Sequence, residues 1–385
     1  MVAAVNLIRD ARVFFTTNVD GDGKIRTTGT AHSATTTFEI QVLDGLSFSQ
    51  SSGSETVSIN EAGTAPVRGQ RSYNTTVEAG DWSFSTYLRP HLDAAVVSAE
   101  EKYLWNALTA VDPIGGTNPG WTDGDMSVPT LAQTVFTHSN KLQLQKFGVI
   151  IAMKGNTYLL HNCAIESVSV DFGIDQIATA AWSGKCTEIE QVSAITFGTI
   201  TGSDPDKTQA ITGGLGAGAV AYKVIDCSYL ANKLSVATVD FGGTIYTLPI
   251  TGGNITVNNN LTYLIPSVVG AVNKPITYFT GTRTFSGSLT AYLRFSADTG
   301  ETGDLFSAIS TAAATNDRPT GSVSVKLGGS TGTYVELLSA YAKLQVPNVT
   351  TDQVVGASFD FMPEGQTGLD STNELVVKYS HAYTP

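Results

Sequence analysis

The sequence predicts a mainly β protein made of two tandem β-sandwich or barrel domains, each with one flanking α-helix. Three observations predict it. Most of the chain reads as short Val/Ile/Thr/Tyr/Phe-rich runs broken by Gly, Asn and Pro, the pattern of an all-β sandwich or barrel. Two segments alternate strictly between apolar and polar residues, the period of a half-buried strand. Three blocks of the first half recur in the same order in the second, as an internal repeat does.

The first block is Trp82 to Arg89 (WSFSTYLR), which matches Gly287 to Arg294 (GSLTAYLR) at an offset of 205. Trp82, Phe84, Thr86 and Leu88 form one face, matched by Gly287, Leu289, Ala291 and Leu293. The other face carries Ser83, Ser85, Tyr87 and Arg89, matched by Ser288, Thr290, Tyr292 and Arg294. The first set is expected against a core and the second against solvent, a lumen or a neighbouring subunit. The second block, Lys102 to Thr109, matches Gly303 to Ser310 at offset 201. Its period is helical: Val97, Leu104, Trp105 and Leu108 make one stripe, with Asp93 as the expected cap and an end before Asp112-Pro113. The third block, Ala164 to Trp182, matches Tyr341 to Phe359 at offset 177. The offset falls because copy one carries an extra Gly/Pro/Asp-rich loop, about Asp112 to Pro129.

The expected organisation is an N-terminal arm over 1–35, a first domain over 36–190, a linker over 191–235 containing the Gly-rich run Thr212 to Gly218, a second domain over 236–370, and a C-terminal tail over 371–385. A length of 385 residues suits two such domains.

Net charge is −12, from 22 basic and 34 acidic residues, and the basic residues are scattered singly. That disfavours a tight grip on nucleic acid through counterion release. Charged residues are 15% of the chain, below the roughly 25% of soluble domains, so much of the surface is expected to be hidden in an assembly or to be rich in Ser and Thr. Arg9, Asp10 and Arg12 interrupt the first apolar stretch, and the longest apolar run is Val149 to Met153. Neither a signal peptide nor a membrane span is expected, and synthesis is expected in a cytosol. Cys163, Cys186 and Cys227 are spaced for neither a disulfide framework nor a metal site and read as buried side chains.

Candidate chemistry is sparse. Asn18 to Gly23 imitates the start of a calcium loop, but position 12 is Gly29, so a polar turn is expected. Gly214, Gly216 and Ala219 fit a loose dinucleotide fingerprint without the surrounding βαβ unit. His161 and Cys163 share a strand face without further metal ligands in sight. There is no G-x-S-x-G elbow, and the acids Asp123 and Asp125 lie in a turn. Trp121 is the tryptophan expected to be exposed enough to stack on a sugar in a carbohydrate-binding or adhesin-like protein. No catalytic, metal or cofactor site is expected.

The order of these features resembles that of phage tail tube proteins, particularly the subset with two tube domains fused in one chain. The residues that carry the resemblance occur in both copies. A strand near Thr56 to Asn60 leads into an irregular stretch, Glu61 to Ala79, then the strand Trp82 to Arg89 and a helix. Ile255 to Asn258 leads into Asn259 to Thr282, then Gly287 to Arg294 and a helix.

The resemblance implies loops that reach an adjacent ring, carrying Arg68, Arg71 and Tyr73 in copy one and Tyr263 and Lys274 in copy two. It implies a ring interface or lumen face at Tyr87, Arg89, Tyr292 and Arg294. It further implies homotrimeric, pseudo-hexameric rings stacked into a conduit for DNA ejection, in a virion tail assembled in the host bacterial cytoplasm. The implied partners are other copies of the chain, the tape measure, a sheath if the tail contracts, the terminator and the baseplate, with transient non-specific contact with phage DNA. Another ring-forming virion part, such as a baseplate or distal-tail ring, is the structural alternative.

Overall fold

A computed structural model describes residues 11–27, 32, 36–57, 70–93, 96–109, 121–125, 131–136, 144–153, 156–192, 199–201, 208–210, 228–270, 272–294, 300–351, 354–366 and 374–381. The chain is mostly β. It begins with β1 (Arg12–Thr16), β2 (Thr37–Ile40), β3 (Ser47–Ser49), β4 (Ser52–Val57), β5 (Arg71–Val77), β6 (Gly80–Tyr87), β7 (Pro90–Asp93), β8 (Val96–Ala99) and α1 (Lys102–Thr109). Next come β9 (Trp121–Thr122), β10 (Gly124–Asp125), β11 (Ala132–Val135), β12 (Phe147–Met153), β13 (Asn156–Gly173), β14 (Thr179–Cys186), β15 (Glu188–Val192), β16 (Thr199–Thr201) and β17 (Thr208–Ala210). The second half holds β18 (Val236–Phe241), β19 (Thr244–Leu248), β20 (Ile250–Asn258), β21 (Leu261–Leu264), β22 (Thr277–Thr280), β23 (Thr284–Tyr292) and α2 (Thr302–Thr315). It continues with β24 (Thr320–Leu327), β25 (Tyr334–Leu344), β26 (Asn348–Thr351), β27 (Val355–Pro363) and β28 (Val376–Ser380).

One long antiparallel sheet runs β3-β6-β14-β13-β20-β23-β27-β26. Its alternation puts Trp82, Phe84, Val168, Val170, Trp182, Ile255, Val257, Leu289, Phe359 and Phe361 into the core. Two further antiparallel arrays share that core. β2-β1-β12-β13-β15 belongs to the first half, and β19-β18-β24-β25-β28-β11-β9 joins strands of both halves. β13 serves two arrays: residues 157–163 pair with β12 and β15, and residues 164–173 with β14 and β20. The corner is marked by Asn162 at φ 49° and a register shift between Ile165 and Ser167, the local bend a bulge supplies.

A swap of aromatic and glycine explains a difference between the halves. Trp82 lies opposite Gly184 on β6 and β14, and Gly287 lies opposite Phe361 on β23 and β27. A Cβ at Gly184 would meet the Trp82 indole, and one at Gly287 would meet the Phe361 ring. Each cross-strand pair therefore fills one slot with one large ring, and the ring changes strand between halves.

The structure corrects several expectations. Leu104, Trp105 and Leu108 are buried on α1 as the stripe predicts, but the helix starts at Lys102, with Val97 in β8 and Asp93 in β7. The short 90–99 hairpin satisfies its backbone in strand pairs, which leaves Asp93 no helix end to cap. The stretch expected as an N-terminal arm contains β1, whose Val13, Phe14 and Phe15 are buried between β2 and β12. The stretch expected as a C-terminal tail contains β28, which pairs with β11 on one side and β25 on the other. Trp121 is 8% exposed, and its indole N–H donates to Asp123 at 2.8 Å. Glu61 to Ala79, expected irregular, includes β5, and Asn259 to Thr282 includes β21 and β22.

Candidate functional site: one sheet face and two ribbons

The long sheet turns a hydroxyl-rich face away from the core. Register lines its residues up in rows: Ser83, Ser183, Ser167, Asn258 and Thr284 in one, and Ser85, Ala181, Ser169, Thr256 and Ser286 in the next. A third row runs Tyr87, Thr179, Asp171, Asn254, Ser288 and Asp360. The hydroxyls bond one another: Ser167 with Ser183 at 2.7 Å, Thr256 with Ser169 at 3.1 Å, and Ser288 with Ser358 at 3.2 Å. Lys185 on this face contacts Asp81 at 2.8 Å and Glu166 at 3.6 Å. Such a face binds water well and offers a polyanion few unpaired cations.

Tyr87 and Tyr292 lie at matching ends of this face, and the arginines two residues on differ: Arg89 is buried, which takes it off an interface or lumen face, while Arg294 is exposed. Arg89 donates to the Gln41 side-chain oxygen, and its backbone N–H donates to Glu101 at 3.3 Å. Glu101 begins α1, its carbonyl accepting from the N–H of Leu104 and Trp105. Arg294 is exposed and bonds Glu301 at 3.0 Å, and Glu301 begins α2 in the same manner. The recurring Tyr-Leu-Arg thus ends on an arginine that holds the start of the helix. Arg89 escaped sequence reasoning because β6 ends at Tyr87, so alternation no longer sets where residue 89 points.

Around Glu101 the interior is polar. Tyr379 Oη donates to Glu101 at 2.5 Å, and the Trp105 indole N–H donates to Tyr379 Oη at 2.7 Å. Burial raises the Glu101 pKa to about 7 against the lowering effects of Tyr379 and Arg89, so it carries a proton over much of the acidic range.

The remaining expected residues fall on two β ribbons. In the first, β4 pairs with β5, and most of its residues are exposed. Arg71 and Tyr73 lie on β5, with the Tyr73 hydroxyl donating to Glu55 at 2.8 Å, whereas Arg68 is outside the described residues. The second ribbon, β21 with β22, lies over the first half of the chain. Tyr263 Oη reaches the carbonyls of Asn162 at 2.9 Å and Lys185 at 3.0 Å, and burial pushes its pKa well above the usual phenol value, keeping it a donor. Tyr278 donates to the Leu144 carbonyl at 2.8 Å and packs with Leu144, Ala164 and Leu261. Lys274 sits 3.4 Å from Glu188, and the backbone of Asn273 bonds Thr75 and Val77 at the base of the first ribbon. Sequence reasoning had no signal for Tyr278, because the residues of the first half that bury it, Leu144 and Ala164, lie more than a hundred residues away.

The other motifs are absorbed locally. Asp20 in the calcium-like turn spends its carboxylate on the N–H groups of Asp22 and Lys24. His161 accepts from Ile25 N–H at 3.0 Å and contacts Glu190 at 3.0 Å, and burial lowers its pKa. Cys163 donates to the Leu160 carbonyl. Gly214, Gly216 and Ala219 lie outside the described residues. No helix among the described residues is long and apolar enough to cross a membrane.

The family described as phage tail tube protein matches residues 17–363. Tail tube protein pb6 of Escherichia phage T5 is 30% identical over 391 aligned residues, which cover 99% of this chain and 77% of that protein. The chain therefore belongs to the phage tail tube protein family and is a structural component of the virion tail, not an enzyme.

Proposed function

We propose that the chain is a duplicated tube subunit: three copies close into a ring with six near-equivalent positions, rings stack into a tube, and the hydroxyl-rich face lines the conduit through which DNA is ejected. The observation that carries the reading is the continuous eight-strand sheet, in which β13 of the first half and β20 of the second pair over seven residues, Ser167–Gly173 with Asn258–Gly252. Strand order supports two copies of one unit. A ribbon, a strand, a helix and two later strands recur, with β6 against β14 in one half and β23 against β27 in the other. The backbone N–H of Arg89 and of Arg294 each donates to a side chain at a helix start, Glu101 and Thr302, and this contact and the exchanged aromatic–glycine pairs support it further.

The function follows from the face's chemistry. DNA passing a wall of hydroxyls, with Asp171 and Asp360 set among them, meets hydration and mild repulsion, not a row of cations that would hold it. Tape measure, terminator, baseplate and, in a contractile tail, sheath would meet the ring's rims and outer wall. Electron microscopy of the purified protein across a concentration series tests the reading. Hollow tubes of stacked threefold rings are expected. Isolated rings that never stack would point to a baseplate or distal-tail part, and a monomer at every concentration would refute the proposal.

A further inference from the structure

We infer that the ring's subunit joint repeats the joint already made inside the chain: β26 of one copy pairs with β3 of the next, and the first ribbon of that next copy clasps the second half of its neighbour. The inference rests on the tube reading above and adds the residues that would close it.

Inside the chain, β13 has β14 on one side and β20 on the other, with Ser169 opposite Ala181 and Thr256. β26 stands to β27 as β13 stands to β14, with Asn348 opposite Ser358 and Val349 opposite Ala357. Since Ser358 and Ala181 are counterparts at the offset of 177, strand pairing makes Asn348 the structural counterpart of Ser169, two residues beyond the position that offset gives. β3 stands to β6 as β20 stands to β23: Ser49 faces Asp81 where Thr256 faces Ser286. Among the described strand pairings β26 pairs with β27 and β3 with β6, so each shows its second edge. All four residues of β26 are exposed. Carrying the internal register across places Asn348 opposite Ser49, Val349 opposite Phe48 and Thr350 opposite Ser47. Beside β3 lies an open depression of mixed lining, in which Phe48, Val77, Tyr158 and Ile189 form an apolar side and Ser49 to Ser52 a polar one, with room for Val349 against the apolar side.

The ribbons carry the second half of the argument. Tyr73 and Tyr278 are counterparts, each nine residues before the matched positions Trp82 and Gly287. Tyr278 is 3% exposed because the second ribbon lies on the first half, whereas Tyr73 is 53% exposed. The surface beneath the second ribbon includes Ala164, paired with Lys185. Its counterpart on the second half is Lys343, paired with Met362. There Met362 is 43% and Tyr341 38% exposed, so an exposed ribbon and two exposed apolar side chains occupy matching places. A second copy of this chain satisfies both at once, and the heterologous contact it makes can close by rotation.

The test is a Ser49→Cys, Asn348→Cys double variant, oxidised after assembly, with each single variant as control. Covalent species of two and three chains in the double variant, and in neither control, are expected. Tubes that form but yield no cross-link overturn the joint and leave the tube reading standing, whereas a wild-type chain that never polymerises overturns both. Tyr73→Asp gives a second arm that does not depend on the cysteines. Because Tyr73 is exposed in the single chain, its thermal midpoint should hold while the concentration needed for polymerisation rises at least about tenfold. Unchanged polymerisation would refute the clasp.

Discussion

Replacing Glu101 by Gln should change how stability depends on pH. The folded pKa of about 7 stands above the ordinary 4.5, so the folded chain holds this proton more tightly than the unfolded one. The contribution is fully present below about pH 4.5, is lost as pH rises toward 7, and stays lost above it. A gap of about 2.5 pKa units corresponds to about 3 kcal/mol. Gln keeps an oxygen to accept the Tyr379 hydroxyl but cannot ionise. Relative to wild type, the variant should therefore gain up to about 3 kcal/mol between pH 4.5 and 8, or about 4 °C in thermal midpoint for a cooperative unit of this length. Thermal unfolding followed by circular dichroism, on both proteins below the concentration of assembly, reads it directly. Buried His32 and His161, whose pKa values are lowered, lose stability as pH falls and affect both proteins alike, so the difference isolates Glu101. Parallel curves across the range would refute the assignment of a buried, protonated Glu101.

Other outcomes follow from the packing. Tyr379→Phe strands the Trp105 indole N–H and removes one of two donors to the Glu101 carboxyl oxygen, and should cost about 1–3 kcal/mol in denaturant unfolding. Arg294→Ala breaks an exposed ion pair and should cost less than about 1 kcal/mol, whereas Arg89→Ala, emptying a buried site, should cost several times more; equal losses would contradict the burial contrast. Gly287→Ala pushes a methyl into the Phe361 ring and should destabilise by about 1–3 kcal/mol, and Phe361→Leu in the same chain should recover part of the loss. Cys163 and Cys186, both buried, should stay unmodified by a thiol reagent until the chain is denatured.

What could be read in the sequence was what depends on one strand's own two faces. Trp82 to Tyr87 and Gly287 to Tyr292 alternate because one side meets a core and the other does not, and their matching text exposed the repeat. The ribbons were opaque for the converse reason. Arg71 to Val77 is polar on both sides, and its strand is defined by hydrogen bonds to β4, not by burial. Arg89 and Trp121 were misplaced because their surroundings come from Gln41 on one side and from Asp123 and Tyr379 on the other. Distance along the chain hid Gln41 and Tyr379, just as it hid the residues that bury Tyr278. Tyr73 and Tyr263, expected on irregular loops, both belong to β ribbons, and their differing burial appears only when the second ribbon is seen lying on the first half.

The placement of β28 bears on when the fold of the first half is closed. This strand lies between β11 and β25, and its Tyr379 completes the buried contacts of Trp105, 274 positions earlier. The partner of the Trp105 indole N–H is therefore among the last residues of the chain to be translated, long after α1 itself. The interior around Trp105 is thus completed by the last described strand of the chain, so the fold of the first half is closed by the end of the second.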